Sequence, residues 1–158
     1  MDYLILLADD NEKLRRAFAG ALEDAGYPVV EAATGKEALA HLDSPTEFDL
    51  LITDVVMPDM NGLQVLTEIR RTDPDLPVIM TSGASNGGLL RFASAFGIPT
   101  LEKPFKGSAL LKTVESVLSK KATRLFARTR RTRPAVLSPR MENSPPLCHL
   151  TTAVLPLL

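Results

Sequence analysis

Apolar residues alternate between two patterns along the chain. Short continuous apolar runs fall at residues 3–8, 29–33, 48–53, 77–81 and 98–102, each closed by polar or turn-forming residues. Runs of this length, bounded this way, predict buried strands. Between them, apolar positions recur at helical spacing. Leu14, Ala17, Phe18, Ala21, Leu22 and Ala25 mark a first helix, with Gly26 as its stop. Thr34 and Glu37 form a capping-box pattern for a second, with Ala38, Leu39 and Leu42 inward. Leu63, Leu66 and Ile69 mark a third helix that ends before Pro74. A weaker fourth, over residues 89–96, follows the flexible pair Gly87-Gly88. Leu110, Leu111, Val114, Val117 and Leu118 form a final amphipathic helix. Five strand–helix units in succession predict an α/β fold, a parallel sheet covered by helices on both faces.

Composition leaves this picture intact and adds a boundary. The chain has 158 residues, 45% hydrophobic and 23% charged, with a formal net charge of −1. That average conceals a split. Residues 1–122 hold 12 Lys+Arg and 18 Asp+Glu, a net of −6, whereas residues 123–158 hold 6 Arg and 1 Glu, a net of +5. Five of the 12 prolines also lie in the later stretch. The expectation is a folded acidic domain over residues 1–122. A basic, proline-rich tail without helical periodicity follows over residues 123–158 and is expected to be disordered. Its 36 residues are too few for a winged helix or a catalytic domain. The single cysteine, Cys148, excludes an intrachain disulfide and a four-cysteine zinc site. The first apolar run stops at two aspartates and has no basic residues before it, unlike a signal peptide or a membrane span. A cytoplasmic protein without membrane contact is the expectation.

Chemistry concentrates at one edge. In doubly wound sheets, ligands bind beyond the carboxyl ends of the strands, where strand order reverses. If the order is 2-1-3-4-5, strands one and three meet there, and their ends carry Asp9, Asp10 and Asp54. Strands four and five end at Ser82 and Lys103. Taken singly, each has an ordinary explanation: Asp10 or Asn11 can cap a helix, Ser82 can serve a turn, and Lys103 can be a surface charge. Together, three converging carboxylates repel one another, and a hard divalent cation resolves the repulsion. Magnesium suits such oxygen ligands. A metal with one lysine is a phosphate-handling set, and a carboxylate such as Asp54 can act as nucleophile to form an aspartyl-phosphate.

These residues sit in four stretches: Leu6-Leu7-Ala8-Asp9-Asp10-Asn11, Asp54-Val55-Val56-Met57-Pro58-Asp59-Met60-Asn61-Gly62, Pro77-Val78-Ile79-Met80-Thr81-Ser82-Gly83 and Lys103-Pro104-Phe105. In this order they resemble the receiver domain of two-component response regulators over residues 3–120. The resemblance implies a flavodoxin-like (βα)5 fold with a central five-stranded parallel sheet in the order 2-1-3-4-5. It implies a signalling phosphoacceptor rather than an enzyme, one that assists its own phosphorylation and dephosphorylation. Asp54 would take a phosphoryl group from a histidine kinase or histidine phosphotransfer protein. Mg²⁺ would be held directly by Asp10 and Asp54, through water by Asp9, and by the backbone carbonyl of Val56. Ser82 would be the switch hydroxyl, with Thr81 as runner-up, and Lys103 would pair with the phosphate. The Lys103–Pro104 bond would be cis, as is rarely adopted except before proline. Output would run through the face of the fourth helix, fifth strand and last helix.

Three features depart from the family pattern. Thr100 stands three residues before Lys103, where an aromatic switch residue is common, and Val56 and Ala84 are apolar at positions that are often polar. No recognisable output domain follows. Rival readings fare worse. A haloacid-dehalogenase-like phosphatase needs a second aspartate two residues after its nucleophile, and Val56 occupies that place. Arg124, Arg128, Arg130, Arg131 and Arg133 form a basic patch, but no reading helix or interleaved aromatics accompany it, so specific DNA binding is not expected. A receiver-shaped scaffold that only binds partners is disfavoured by the complete set of five site residues.

Overall fold

The strand segments are nearly all apolar because both faces of the sheet are covered. The computed structural model describes residues 3–83 and 87–131. In chain order the elements are β1 (Ile5–Ala8), α1 (Glu12–Asp24), β2 (Val29–Ala32), α2 (Gly35–Leu42), β3 (Leu50–Asp54), α3 (Gly62–Thr72), β4 (Val78–Gly83), α4 (Gly87–Ala95), β5 (Thr100–Lys103) and α5 (Gly107–Arg131). All strand pairings are parallel and the sheet order is β2-β1-β3-β4-β5, the order expected from the sequence. Side chains alternate across each strand. Leu6, Leu51, Val78 and Met80 therefore join one buried cluster with Val65, Ile69 and Leu90, on the side of α2, α3 and α4. Ile5, Leu7, Ile52 and Ile79 join the other with Leu22, Leu110 and Val114, on the side of α1 and α5.

Local chemistry sets the ends of the elements. Asn11 caps α1, its side chain accepting from the Leu14 N–H at 3.1 Å. Gly26 then turns the chain with φ +90, a conformation that costs a side-chain-bearing residue. Thr34 caps α2 through the Glu37 N–H, while the Glu37 carboxylate accepts from Ala33. A full capping box, Asn61 with Gln64, starts α3. That pair is legible in the sequence as Asn-x-x-Gln.

The last helix differs from expectation. It continues to Arg131 instead of ending near Ala122. Nothing between Ala122 and Arg131 stops a helix: no glycine or proline occurs until Pro134, and leucine, alanine and arginine are strong helix formers. The part of the expected tail from residue 132 onward lies outside the described residues, as does Ala84. No helix among the described residues is long and apolar enough to cross a membrane.

Candidate functional site

Strand order β2-β1-β3 puts the reversal point between β1 and β3. Ala8 pairs in register with Thr53, so the residues that follow them, Asp9 and Asp54, stand at the same level at the carboxyl ends of the two strands. Asp10 follows on the turn into α1. The carboxylates of Asp9, Asp10 and Asp54 bring one oxygen each within 4.8 Å of one another. Asp9 and Asp54 are buried, at 1% and 7% exposure, whereas Asp10 is exposed. The interior pair is thereby held by protein and the outer carboxylate faces solvent.

Lys103, at the end of β5, reaches across β4 to both buried carboxylates. Its Nζ donates to Asp9 Oδ2 at 2.5 Å and to Asp54 Oδ2 at 2.7 Å. The remaining oxygens are also engaged: Asn11 N–H donates to Asp9 Oδ1 at 2.9 Å, and Val56 N–H donates to Asp54 Oδ1 at 3.0 Å. Burial pushes the Asp54 carboxyl above its ordinary value, against the opposing pull of the Lys103 hydrogen bond and the Val56 N–H; the charge of Asp9 adds to the rise. Burial alone would pull Lys103 down, but its two carboxylate partners outweigh that and hold the ammonium protonated. Three carboxylates facing one ammonium leave the pocket short of positive charge.

The surrounding backbone is fixed by residues that the sequence reading did not single out. Arg15 of α1, nearly buried, donates to the Asp9 carbonyl at 2.8 Å and to Glu31 of β2 at 2.9 Å. It pins the turn that carries both aspartates. Asp59, beyond β3, accepts from the Gly35 and Lys36 N–H groups at 3.1 and 3.0 Å. It thus serves the exposed donors at the start of α2 from a distant loop. Gly62 packs against the Asp54 carbonyl so closely that a Cβ there would lie 2.4 Å from the oxygen. Arg15 carries a weak signal, one of three cations (Lys13, Arg15 and Arg16) that follow the acidic pair; the other two depend on contacts between distant segments.

The structure brings Asp9, Asp10, Asp54 and Lys103 into one cluster. Thr81 is the register partner of Asp54 on β4. Ser82 follows it with its hydroxyl fully buried, and that oxygen is the buried side-chain polar atom without a hydrogen-bond partner among the described residues. Val56 lies on the rim, 46% exposed. Thr100 is not brought to the cluster: it opens β5 opposite Met80, at the other end of that strand from Lys103. The Lys103–Pro104 peptide is cis.

Comparison with known proteins places this geometry. Residues 5–115 match the family described as the response regulator receiver domain. The chain is 39% identical over 120 residues to the sensor kinase CckA of Brucella abortus, covering 73% of this chain but only 12% of that kinase. It is 36% identical over 115 residues to the response regulator receiver protein CpdR of the same organism, covering 72% of this chain and 95% of CpdR. Among solved structures, a CheY-like receiver domain protein from Methanospirillum hungatei superposes with a TM-score of 0.72 at 27% identity, covering 78% of this chain and 99% of that one.

Proposed function

The chain belongs to the response regulator receiver domain family, and from that membership we propose that the Asp54 carboxylate is its phosphoacceptor. As a receiver it serves two-component signalling. The observation that carries the assignment to Asp54 is its place: a buried carboxylate at the end of a central strand, bridged by Lys103 to a second buried carboxylate and open toward a third.

The donor in this reading is a phosphohistidine of a kinase or phosphotransfer protein. An Asp54 oxygen bonds to phosphorus, the nitrogen–phosphorus bond breaks, and its electron pair returns to the imidazole. The Val56 N–H and the Lys103 ammonium hold the carboxylate still for in-line attack. Lys103 then pairs with a phosphoryl oxygen in a charge-assisted contact. The buried Ser82 hydroxyl supplies a further hydrogen bond. The donor set suits a small hard cation: Asp10 and Asp54 would hold Mg²⁺ directly, with Asp9 through water and the Val56 carbonyl completing the set. When bound it supplies neutralisation of the phosphoryl charge.

The product replaces a monoanion with a dianion, and Ser82 and Lys103 rearrange around it. Ser82 continues the strand face of Val78 and Met80, which packs with Leu90 and Ala93 of α4. Output therefore runs to the α4-β5-α5 face, where Leu89, Phe92 and Phe96 are exposed. Thr100 offers no ring there, so Ser82 carries more of the change. The receiver unit ends with α5, and residues beyond Arg131 are not needed for phosphorylation. Intact-mass spectrometry after acetyl phosphate or kinase treatment tests the assignment. An adduct of roughly 80 Da, one phosphoryl group, should appear with Mg²⁺ and not with EDTA. It should map to Asp54 and vanish in Asp54→Asn. A label that persists in Asp54→Asn would overturn it.

A further inference from the structure

At the opposite end of the sheet from Asp54, the molecule has a cavity of about 580 Å³. Its floor is apolar and comes from the segments that lead into β4 and β5: Leu76, Pro77, Ile98 and Pro99. Phe96, just past the end of α4, forms one lip, with 68% of its surface exposed. That ring stands 4.7 Å, centroid to centroid, from Phe92, so the apolar surface continues out of the cavity onto α4. The far wall is α5, which lines the cavity because it runs on past the sheet. Val117, Lys120, Lys121 and Arg124 recur at helical spacing along that wall.

The cations of the cavity are not all available. Lys121 donates to the Asp49 carboxylate at 2.7 Å, and Arg70 on the near wall donates to the Leu76 carbonyl at 2.7 Å. Lys120 and Arg124, one turn apart and exposed, form no ion pair among the described residues. The cavity thus offers an apolar trough with two uncommitted cations along one edge. Its size falls within the range of ligand pockets.

We propose that this groove docks an acidic, apolar peptide segment of a partner protein, with carboxylates on Lys120 and Arg124 and apolar side chains on the Leu76–Ile98 floor. Charge complementarity selects this occupant. A simple anion would satisfy the cations but leave the apolar floor in water. A nucleic acid would meet a domain that still carries a net of −2 over residues 1–131, to the end of α5, and Asp75 lines the cavity as well. A short acidic segment feels the same overall repulsion, so this local basic edge confines it to one place on the surface. The surface is separate from the phosphoacceptor cluster and goes beyond the reading of that cluster.

The test is an amide chemical-shift titration of the full unphosphorylated chain with a capped peptide alternating glutamate with leucine. Shifts should cluster at Leu76, Ile98, Val117 and Arg124. Lys120→Glu with Arg124→Glu should weaken binding about tenfold, as should replacing the glutamates of the peptide with glutamine. Both side chains are exposed, so the melting temperature should not move; Phe96→Ser, also exposed, should weaken binding with charge unchanged. The proposal is overturned by any of four results: no shifts at millimolar peptide, shifts centred elsewhere, affinity indifferent to the charge changes, or a DNA oligonucleotide or a second copy of the chain occupying these residues in preference to the peptide. None of these outcomes bears on whether Asp54 is phosphorylated.

Discussion

Lys103 and Asp54, 49 residues apart in sequence, meet at 2.7 Å through a contact that Lys103 shares with Asp9. One ammonium therefore compensates two buried carboxylates. Taking it away leaves both carboxylates in the interior with backbone N–H partners but no counter-charge. Lys103→Met should destabilise the metal-free protein by on the order of 3 kcal/mol at neutral pH, as breaking buried pairs does. The deficit should shrink in acid, because burial already raises the Asp54 pKa and protonation relieves the repulsion. Added Mg²⁺ should restore part of the loss and raise the variant's melting temperature more than the parent's. Thermal melts with and without Mg²⁺ check this; equal shifts in both proteins would count against it.

Gly62 allows α3 to begin against the backbone of Asp54. A methyl group at that position would stand 2.4 Å from the Asp54 carbonyl oxygen and 3.1 Å from Val55 Cα, both backbone atoms that cannot swing aside. Gly62→Ala should cost about 1–3 kcal/mol as an overpacked site. Phosphorylation should slow as well, since the displaced atoms carry the acceptor. Denaturant melts and the rate of acetyl phosphate labelling report the two effects. A variant that labels at the parental rate with unchanged stability contradicts the account.

Asp59 accepts from two backbone donors at the start of α2, led by Lys36, and those hydrogen bonds hold its carboxyl below the ordinary 3.8. A depressed carboxyl contributes stability that is full above its unfolded pKa and is lost as pH falls through the folded one. Asp59 is exposed, so solvent screening limits the charge contribution. Asp59→Ala should cost about 1 kcal/mol at pH 7, the usual worth of an N-terminal cap. The difference from the parent should fade below pH 3.8. Urea melts across that range decide; a cost that does not change with pH would mean that the contact is packing alone.

The uneven legibility of the chain in sequence has physical causes. Strands buried on both faces leave long apolar runs, and the strands were placed to within about two residues for that reason. Asp9, Asp54 and Lys103 stand where those runs end, so the rule for doubly wound sheets brings them together from the sequence alone. Contacts between distant segments leave no such trace. The reach of Asp59 to Gly35 and the packing of Gly62 on Asp54 depend on how loops meet in space. The length of α5 was missed for a different reason. Basic charge and nearby prolines suggested a tail, yet local propensity up to Pro134 still favours helix.

Ser82 is the buried polar group that the fold leaves unanswered. Its hydroxyl is fully buried and has no hydrogen-bond partner among the described residues. A buried, unsatisfied hydroxyl costs roughly 1–3 kcal/mol. In the unphosphorylated protein the group is therefore a burden, and Ser82→Ala should leave stability unchanged or raise it by about 1 kcal/mol. Phosphorylation reverses the balance if the hydroxyl then donates to a phosphoryl oxygen, a charge-assisted bond of about twice the usual strength. The same variant should then respond weakly to beryllofluoride, which mimics the phosphoryl group. Amide shifts along α4 should be smaller than in the parent, because Ser82 shares its strand face with residues packed on Leu90 and Ala93. Shifts at Asp9 and Asp10 should persist, since those carboxylates lie on other strand ends. Two measurements therefore have to move in opposite directions, stability up or level and response down. A Ser82→Ala protein that is destabilised by 1 kcal/mol or more, or that transmits beryllofluoride binding to α4 at full amplitude, would show that the hydroxyl serves the resting fold and not the phosphorylated one.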